Sequence, residues 1–235
     1  MILVRMGSSI LIADDHPLFR AALRSAISAA VADAAFTEAD SISALFESLE
    51  RDPHADLLLL DLNIPGAQGL SALAHLRGNY PQLPIVVVSA LDDALTVRQC
   101  LRFGAQGFIS KSADAVRIGA DVHSLLEGEL VAPEGTGVGA GTGAGDAADG
   151  SGPDVEVARR LADLTPQQFR VLGMLCAGRM NKQIGYELQI SEATVKAHMT
   201  ALLRKLGVGT RTQAVLLVGR MAVQPGGMRP PPEEP

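Results

Sequence analysis

Through the first 126 residues, short unbroken apolar runs alternate with stretches whose apolar positions recur at helical spacing. Ile10–Ala13, Ala35–Glu38, Leu57–Leu60, Ile85–Val88 and Gly107–Ile109 read as five strands. Between and after them lie helical patterns. Pro17 fits the first turn of a helix through Ala30, and Ser41 can cap a helix to Arg51. Gln68–Arg77 forms a third, closed by Gly78, and Asp93–Phe103 and Ser112–Leu126 complete the set. Five strand–helix pairs predict an α/β fold with a doubly wound, five-stranded parallel sheet covered on both faces. The leucines at 57–60 fit this, because a central strand of such a sheet has no wet face. Asp61, directly after them, is then a carboxylate at the end of a buried strand.

The pattern stops at Gly128. Nine of the 25 residues from Gly128 to Gly152 are glycine and none is aromatic. Such a stretch buries too little apolar surface to offset its ordering entropy. It predicts a flexible linker, spanning roughly 25–30 Å as a Gly-rich coil. No Lys-Ser/Thr follows the glycines, which excludes a phosphate-binding loop. Helical spacing then resumes. Thr165-Pro166 starts a helix to Ala177, stopped by Gly178. A short helix over Asn181–Leu188, the turn Gln189-Ile190-Ser191 and a longer helix over Glu192–Leu206 follow, with Gly207 ending the last. Thr210 starts a final helix through Gly219. The expected organisation is a first domain over 8–127, a linker over 128–157, a small all-α helix-turn-helix domain over 158–222 and a Pro-rich disordered tail over 223–235. Met6 is an alternative start.

Composition refines this picture at three points. With no Trp and 3% aromatics, the cores must be built from Leu, Val, Ile and Ala. Cys100 and Cys176 lie far apart, which argues for a reducing cytoplasm and against a disulfide framework. No apolar run approaches the roughly 20 residues needed to cross a bilayer, so no membrane partner is expected. Charge is also divided. Residues 1–127 carry nine Lys/Arg against fifteen Asp/Glu, and residues 158–235 carry eleven against five. The basic second half suits a phosphate backbone.

In doubly wound sheets, sites form beyond the carboxyl ends of the strands. The first strand ends at Asp14 and Asp15, the third at Asp61 and the fourth at Ser89, and Lys111 follows the fifth. Taken singly, each carboxylate is an ordinary helix cap or turn residue, and His16 an ordinary surface residue at a helix start. Together they place three carboxylates, a hydroxyl and an ammonium at one sheet edge. Three close carboxylates need counter-charge. Lys111 supplies part, and Mg2+ suits the rest because it takes a few oxygen ligands and keeps waters for a phosphoryl group. A carboxylate there can attack a phosphoryl donor and form an acyl phosphate.

The segments ADD (13–15), DLNIPG (61–66), SA (89–90) and GFISK (107–111) resemble two-component receiver domains, and LIADDHPLFRAAL is similar to the opening of receivers in the NarL/FixJ class. The resemblance covers about residues 8–127 and implies a flavodoxin-like receiver. It implies Asp61 as phosphoacceptor, Asp15 binding Mg2+ directly and Asp14 through water, and the Asn63 carbonyl completing the ligands. It further implies Ser89 as a switch hydroxyl, small Ala90 leaving room for the phosphoryl group, Lys111 pairing with that group and Phe108 as the switch aromatic. Many receivers have Pro after the Lys, where this chain has Ser112.

In the second domain, Val195, Leu202 and Leu206 share one face of the 192–206 helix, with Met199 near them. Thr194, Lys196, Ala197, His198 and Thr200 are left outside, near the end that a recognition helix places in the major groove. Lys196 can reach a guanine edge or a phosphate, and Lys182, Arg204, Lys205 and Arg211 are placed for phosphates. NKQI, ISEATVKAH, KLGV and RTQAV resemble the LuxR-type helix-turn-helix over about 160–222. That resemblance implies a dimer contact on the last helix, around Gln213–Leu217.

The combined expectation is a response regulator rather than an enzyme. A sensor histidine kinase would phosphorylate Asp61, favouring a homodimer on double-stranded DNA. A phosphatase using Asp61 as nucleophile is the rival, but it commonly needs an acid two residues on, where this chain has Asn63. A second rival is a DNA-binding protein whose receiver is regulated without phosphate.

Overall fold

The structure is a computed structural model that describes residues 7–129, 131–132 and 153–222. Five strands, β1 (Ser9–Ala13), β2 (Ala35–Ala39), β3 (Leu57–Asp61), β4 (Ile85–Ser89) and β5 (Gly107–Ser110), pair in parallel in the order β2-β1-β3-β4-β5. The order reverses between β1 and β3, which opens a crevice at their carboxyl ends. The leucines of β3 alternate between two cores. Leu57 and Leu59 join Leu23 and Ile27 of α1 (Pro17–Ala30) and Ile118 and Val122 of α5 (Ala115–Leu126). Leu58 and Leu60 face the other way, toward α2 (Ile42–Arg51), α3 (Ser71–Asn79) and α4 (Ala94–Arg102). A strand buried on both faces is therefore uniformly apolar.

Side-chain caps set several helix starts. Ser41 Oγ accepts from Ala44 N, Asp93 caps α4 through Leu95 N and Thr96 N, and Asp114 caps α5 through Arg117 N. Helix α5 thus begins at Ala115 rather than Ser112. Helix α3 begins at Ser71 rather than Gln68, because Gly66 and Gly69 have positive φ (93° and 49°) and keep the preceding segment non-helical. Nor does Gly78 close α3. It lies within the helix, where a Cβ would overlap the Ala162 methyl, so its role is close helix approach.

The second unit is helical: α6 (Pro153–Ala162), α7 (Pro166–Cys176), α8 (Asn181–Glu187), α9 (Glu192–Leu206) and α10 (Arg211–Gly219). Thr165 with Gln168 and Thr210 with Gln213 form capping boxes at α7 and α10. Helix α6 corrects the expected linker, whose last five residues are helical. Val157 and Leu161 of α6 are buried, so a packed apolar stripe orders them. The front of that linker also carries structure, since Val131 bridges Gly107 of β5. Residues 133–152, the expected tail over 223–235 and the first six residues lie outside the described residues. No helix among the described residues is long and apolar enough to cross a membrane.

The two units pack on each other. One apolar core runs from β3 and α2–α3 into Leu161, Leu164, Phe169 and Leu172. Across this seam Leu70 N donates to Met221 O (2.9 Å), Arg170 donates to Ser43 O (3.2 Å), and Asn79 Nδ2 donates to Ala162 O (3.0 Å).

Candidate functional site

The carboxyl ends of β1 and β3 bring Asp14 and Asp61 together, 1% and 2% exposed. Lys111, just past β5, reaches back between them. Its Nζ lies 2.6 Å from Asp14 Oδ2 and 2.8 Å from Asp61 Oδ2. The same ammonium sits 4.9 Å from the centroid of the Phe19 ring. Burial alone would lower the Lys111 pKa, but the two carboxylates outweigh it and the net shift is upward. Asp61 Oδ1 accepts from Asn63 N at 3.2 Å, which fixes the carboxylate's plane from its own loop.

Asp15 and His16 complete the cluster. His16 Nδ1 lies 2.8 Å from Asp15 Oδ1 and 3.2 Å from Asp14 Oδ1. Ligand atoms of Asp14, Asp15, His16 and Asp61 all fall within 4.8 Å of one another. Among the described residues, buried Asp14 Oδ2 meets only the Lys111 ammonium and buried Asp15 Oδ1 only His16 Nδ1. Three carboxylates gathered around one lysine ammonium make an oxygen-rich set that fits a hard divalent cation such as Mg2+. Ser89 is fully buried at the end of β4, its Oγ accepting from Leu91 N at 3.1 Å. Phe108 is 1% exposed and packs in the core on the α2–α4 side. Ser112 is exposed and shares a hydrogen bond with Ser110 (2.7 Å between hydroxyls).

The helical unit presents a second surface. Ser191 caps α9, its Oγ accepting from Thr194 N at 3.0 Å. Val195, Leu202 and Leu206 are buried as their spacing predicts. Thr194, Lys196, Ala197 and Thr200 are exposed and His198 is half-buried. Arg204 and Lys182 are also exposed.

Residues 10–123 match the family described as "Response regulator receiver domain", and residues 162–218 match "Bacterial regulatory proteins, luxR family". A glycerol metabolism activator of Pseudomonas putida is 39% identical over 89% of this chain and 94% of its own length. The nitrate/nitrite response regulator protein NarL of Escherichia coli is 33% identical over 90% and 94%. The chain belongs to the NarL/FixJ class of two-component response regulators.

The fold agrees with that membership. RcsB from Salmonella enterica serovar Typhimurium, solved bound to a promoter with the phosphomimetic BeF3-, superposes with a TM-score of 0.51 at 19% identity, covering 91% of this chain and 98% of that one. The regulator thus combines a receiver with a LuxR-type DNA-binding domain.

Two of the four residues expected to meet phosphates, Lys205 and Arg211, donate to backbone or side-chain oxygens of their own domain. Lys205 Nζ donates to Asp163 O (2.7 Å) and Gln168 Oε1 (2.8 Å), tying α9 to the α6–α7 turn. Arg211 donates to Arg179 O at 2.6 Å. Lys205→Met is therefore expected to destabilise the DNA-binding domain by about 1–3 kcal/mol. Urea unfolding checks the loss, and the salt dependence of DNA affinity should stay unchanged. A salt slope lowered by about one would instead make Lys205 a phosphate contact.

Sequence reasoning missed Phe19 beneath Lys111. It also missed the seam residues His75, Asn79 and Arg170. Phe19 follows the acidic pair on α1, but nothing in the local pattern aims it at a residue more than 90 positions away.

Proposed function

We propose that a sensor histidine kinase phosphorylates Asp61, and that the phosphorylated regulator dimerises on specific duplex DNA to control transcription. One observation carries this reading: a lysine ammonium held between two buried carboxylates, in a cluster whose ligand atoms lie within 4.8 Å of one another.

In this reading an Asp61 carboxylate oxygen attacks the phosphorus of a phosphohistidine. The new P–O bond forms as the P–N bond breaks, and the imidazole leaves with the electron pair and takes up a proton. The Asn63 amide orients the attacking carboxylate. Lys111 then pairs with a phosphoryl oxygen. Ser89 Oγ already accepts from Leu91 N, which leaves its hydroxyl proton for another. Phe108, on the strand beside Ser89, would carry that shift into the core. Asp14, Asp15, Asp61 and the Asn63 carbonyl would hold Mg2+, which supplies positive charge for the transferring phosphoryl group. Asn63 at the second position after Asp61 supports a stored acyl phosphate rather than steady hydrolysis, so the regulator works as a switch and not as an enzyme.

The N-terminal half of α9 would enter the major groove with Thr194, Lys196, Ala197, His198 and Thr200. Lys182, Arg204 and, through any donor left over, Arg211 would meet phosphates, while Lys205 stays committed to the α6–α7 turn. Helix α10 carries Leu216, 68% exposed, within the stretch proposed for the dimer contact. The regulator would act in the cytoplasm, where chromosomal DNA is found.

Sedimentation with and without beryllofluoride, paired with footprinting, tests this. Mass should double at micromolar protein, and DNA affinity should rise by about 100-fold as two half-sites are engaged together. Unchanged mass and unchanged affinity would overturn the proposal.

A further inference from the structure

His75 of α3 is fully buried where the receiver meets the DNA-binding helices. Its ring stacks on Phe169 of α7, with centroids 4.3 Å apart and planes 25° from parallel. Phe46 of α2 tilts against it at 5.2 Å. Nδ1 lies 3.0 Å from Leu161 O of α6, so in the neutral ring the Nδ1 proton is donated to that carbonyl. Nε2 is buried and has no hydrogen-bond partner among the described residues. The neutral ring therefore leaves one lone pair unmet. A protonated ring would leave an unpaired N–H and a charge in an apolar sandwich.

We propose that His75 is a proton-sensitive latch between the receiver and the DNA-binding domain. As the neutral imidazole it seals the seam, and as the imidazolium it opens it.

Among the described residues, no carboxylate acts on the His75 ring. Arg170 of α7 lies 5.7 Å from the Phe46 centroid and donates to Ser43 O. Arg170 and Glu50 of α2 both act on Tyr80, at the end of α3. Arg77 of α3 turns to Leu83 O, and Arg160 of α6 turns to Glu156 and Leu206 O. Arg159 of α6 is exposed. Stacking on Phe169 gives an imidazolium some attraction, but burial dominates. It pushes the His75 pKa down to about 4, against the opposing pull of the Leu161 carbonyl.

The sign follows. When the two units separate, the ring enters water and recovers a pKa of about 6.5. The separated state then binds more protons, so the closed state loses ground as pH falls below about 6.5. Between pH 7 and pH 5 the closed-to-open ratio should fall about 20-fold. This adds an acid input to the regulator and needs no phosphorylation, so it stands or falls apart from the Asp61 reading.

The Leu70 amide reports on the seam, because it donates across it to Met221 O. Hydrogen exchange of the full chain would compare Leu70 with Val87, in the middle of β4, at both pH values. The expected result is about a 20-fold loss of protection at Leu70 relative to Val87, and no loss in His75→Phe. Unchanged protection in the wild type, or the same loss in His75→Phe, would overturn the latch. Should His75→Phe fail to fold, NMR titration of the wild-type His75 ring decides: a midpoint below about 5 supports the latch, and one near 6.5 sinks it.

Discussion

Asp61→Asn is expected to abolish acyl-phosphate formation. Incorporation from acetyl phosphate should fall by about two orders of magnitude or more, because a carboxamide oxygen does not form an acyl phosphate. The substitution keeps the shape and retains an oxygen that can accept from Lys111, so the fold should survive. Circular dichroism verifies that point. Chelating divalent cations in the wild type should give a comparable loss, since three clustered carboxylates there share one lysine ammonium. Phosphate-affinity electrophoresis reads both outcomes, and hydroxylamine sensitivity identifies the acyl bond. Equal labelling of Asp61→Asn and wild type would move the phosphoacceptor elsewhere, with His16 the first alternative to test.

Reversing one charge on α9 should produce the second large effect. Lys196 is 64% exposed, and its ammonium lies 3.0 Å from Glu192 Oε1. An exposed i,i+4 pair of this kind contributes about 0.3–0.5 kcal/mol, so Lys196→Glu should scarcely change stability. On DNA it removes a contact and adds repulsion, weakening specific binding by about 2–4 kcal/mol, or about 30- to 1000-fold. Fluorescence anisotropy over a range of salt concentrations separates two roles. A phosphate contact lowers the salt slope and weakens all sequences alike, whereas a base contact relaxes preference at one position. An affinity within threefold of wild type would mean that α9 does not enter the groove.

Much of this molecule was legible in the sequence because its strongest signals are local. The uniform leucines of β3 announce a strand buried on both faces, and Thr165-Pro166 announces the start of α7. Strand ends then define one edge, so Asp14, Asp61 and Lys111 could be brought together from topology alone. What escaped depends on contacts between distant segments. Gly78 looks like a helix stop until Ala162 of α6 is found against it. Helix α6 follows a Gly-rich run, and its short apolar stripe gains its meaning only from packing on α3. His75 has no distinguishing neighbours in sequence, and its environment is assembled from three other helices.

The covering of β5 bears on how the receiver can be cut out of the chain. The outer edge of β5 is not bare, because Phe108 N donates to Val131 O at 2.9 Å. A receiver fragment ending at residue 127, where the sequence alone would place the boundary, loses that cover. Its terminal strand would offer unpaired backbone groups to any extended chain it met, the usual route to edge-to-edge aggregation. Keeping residues through Ala132 retains the guard, so five residues that resemble the start of a linker decide whether the excised receiver stays in solution.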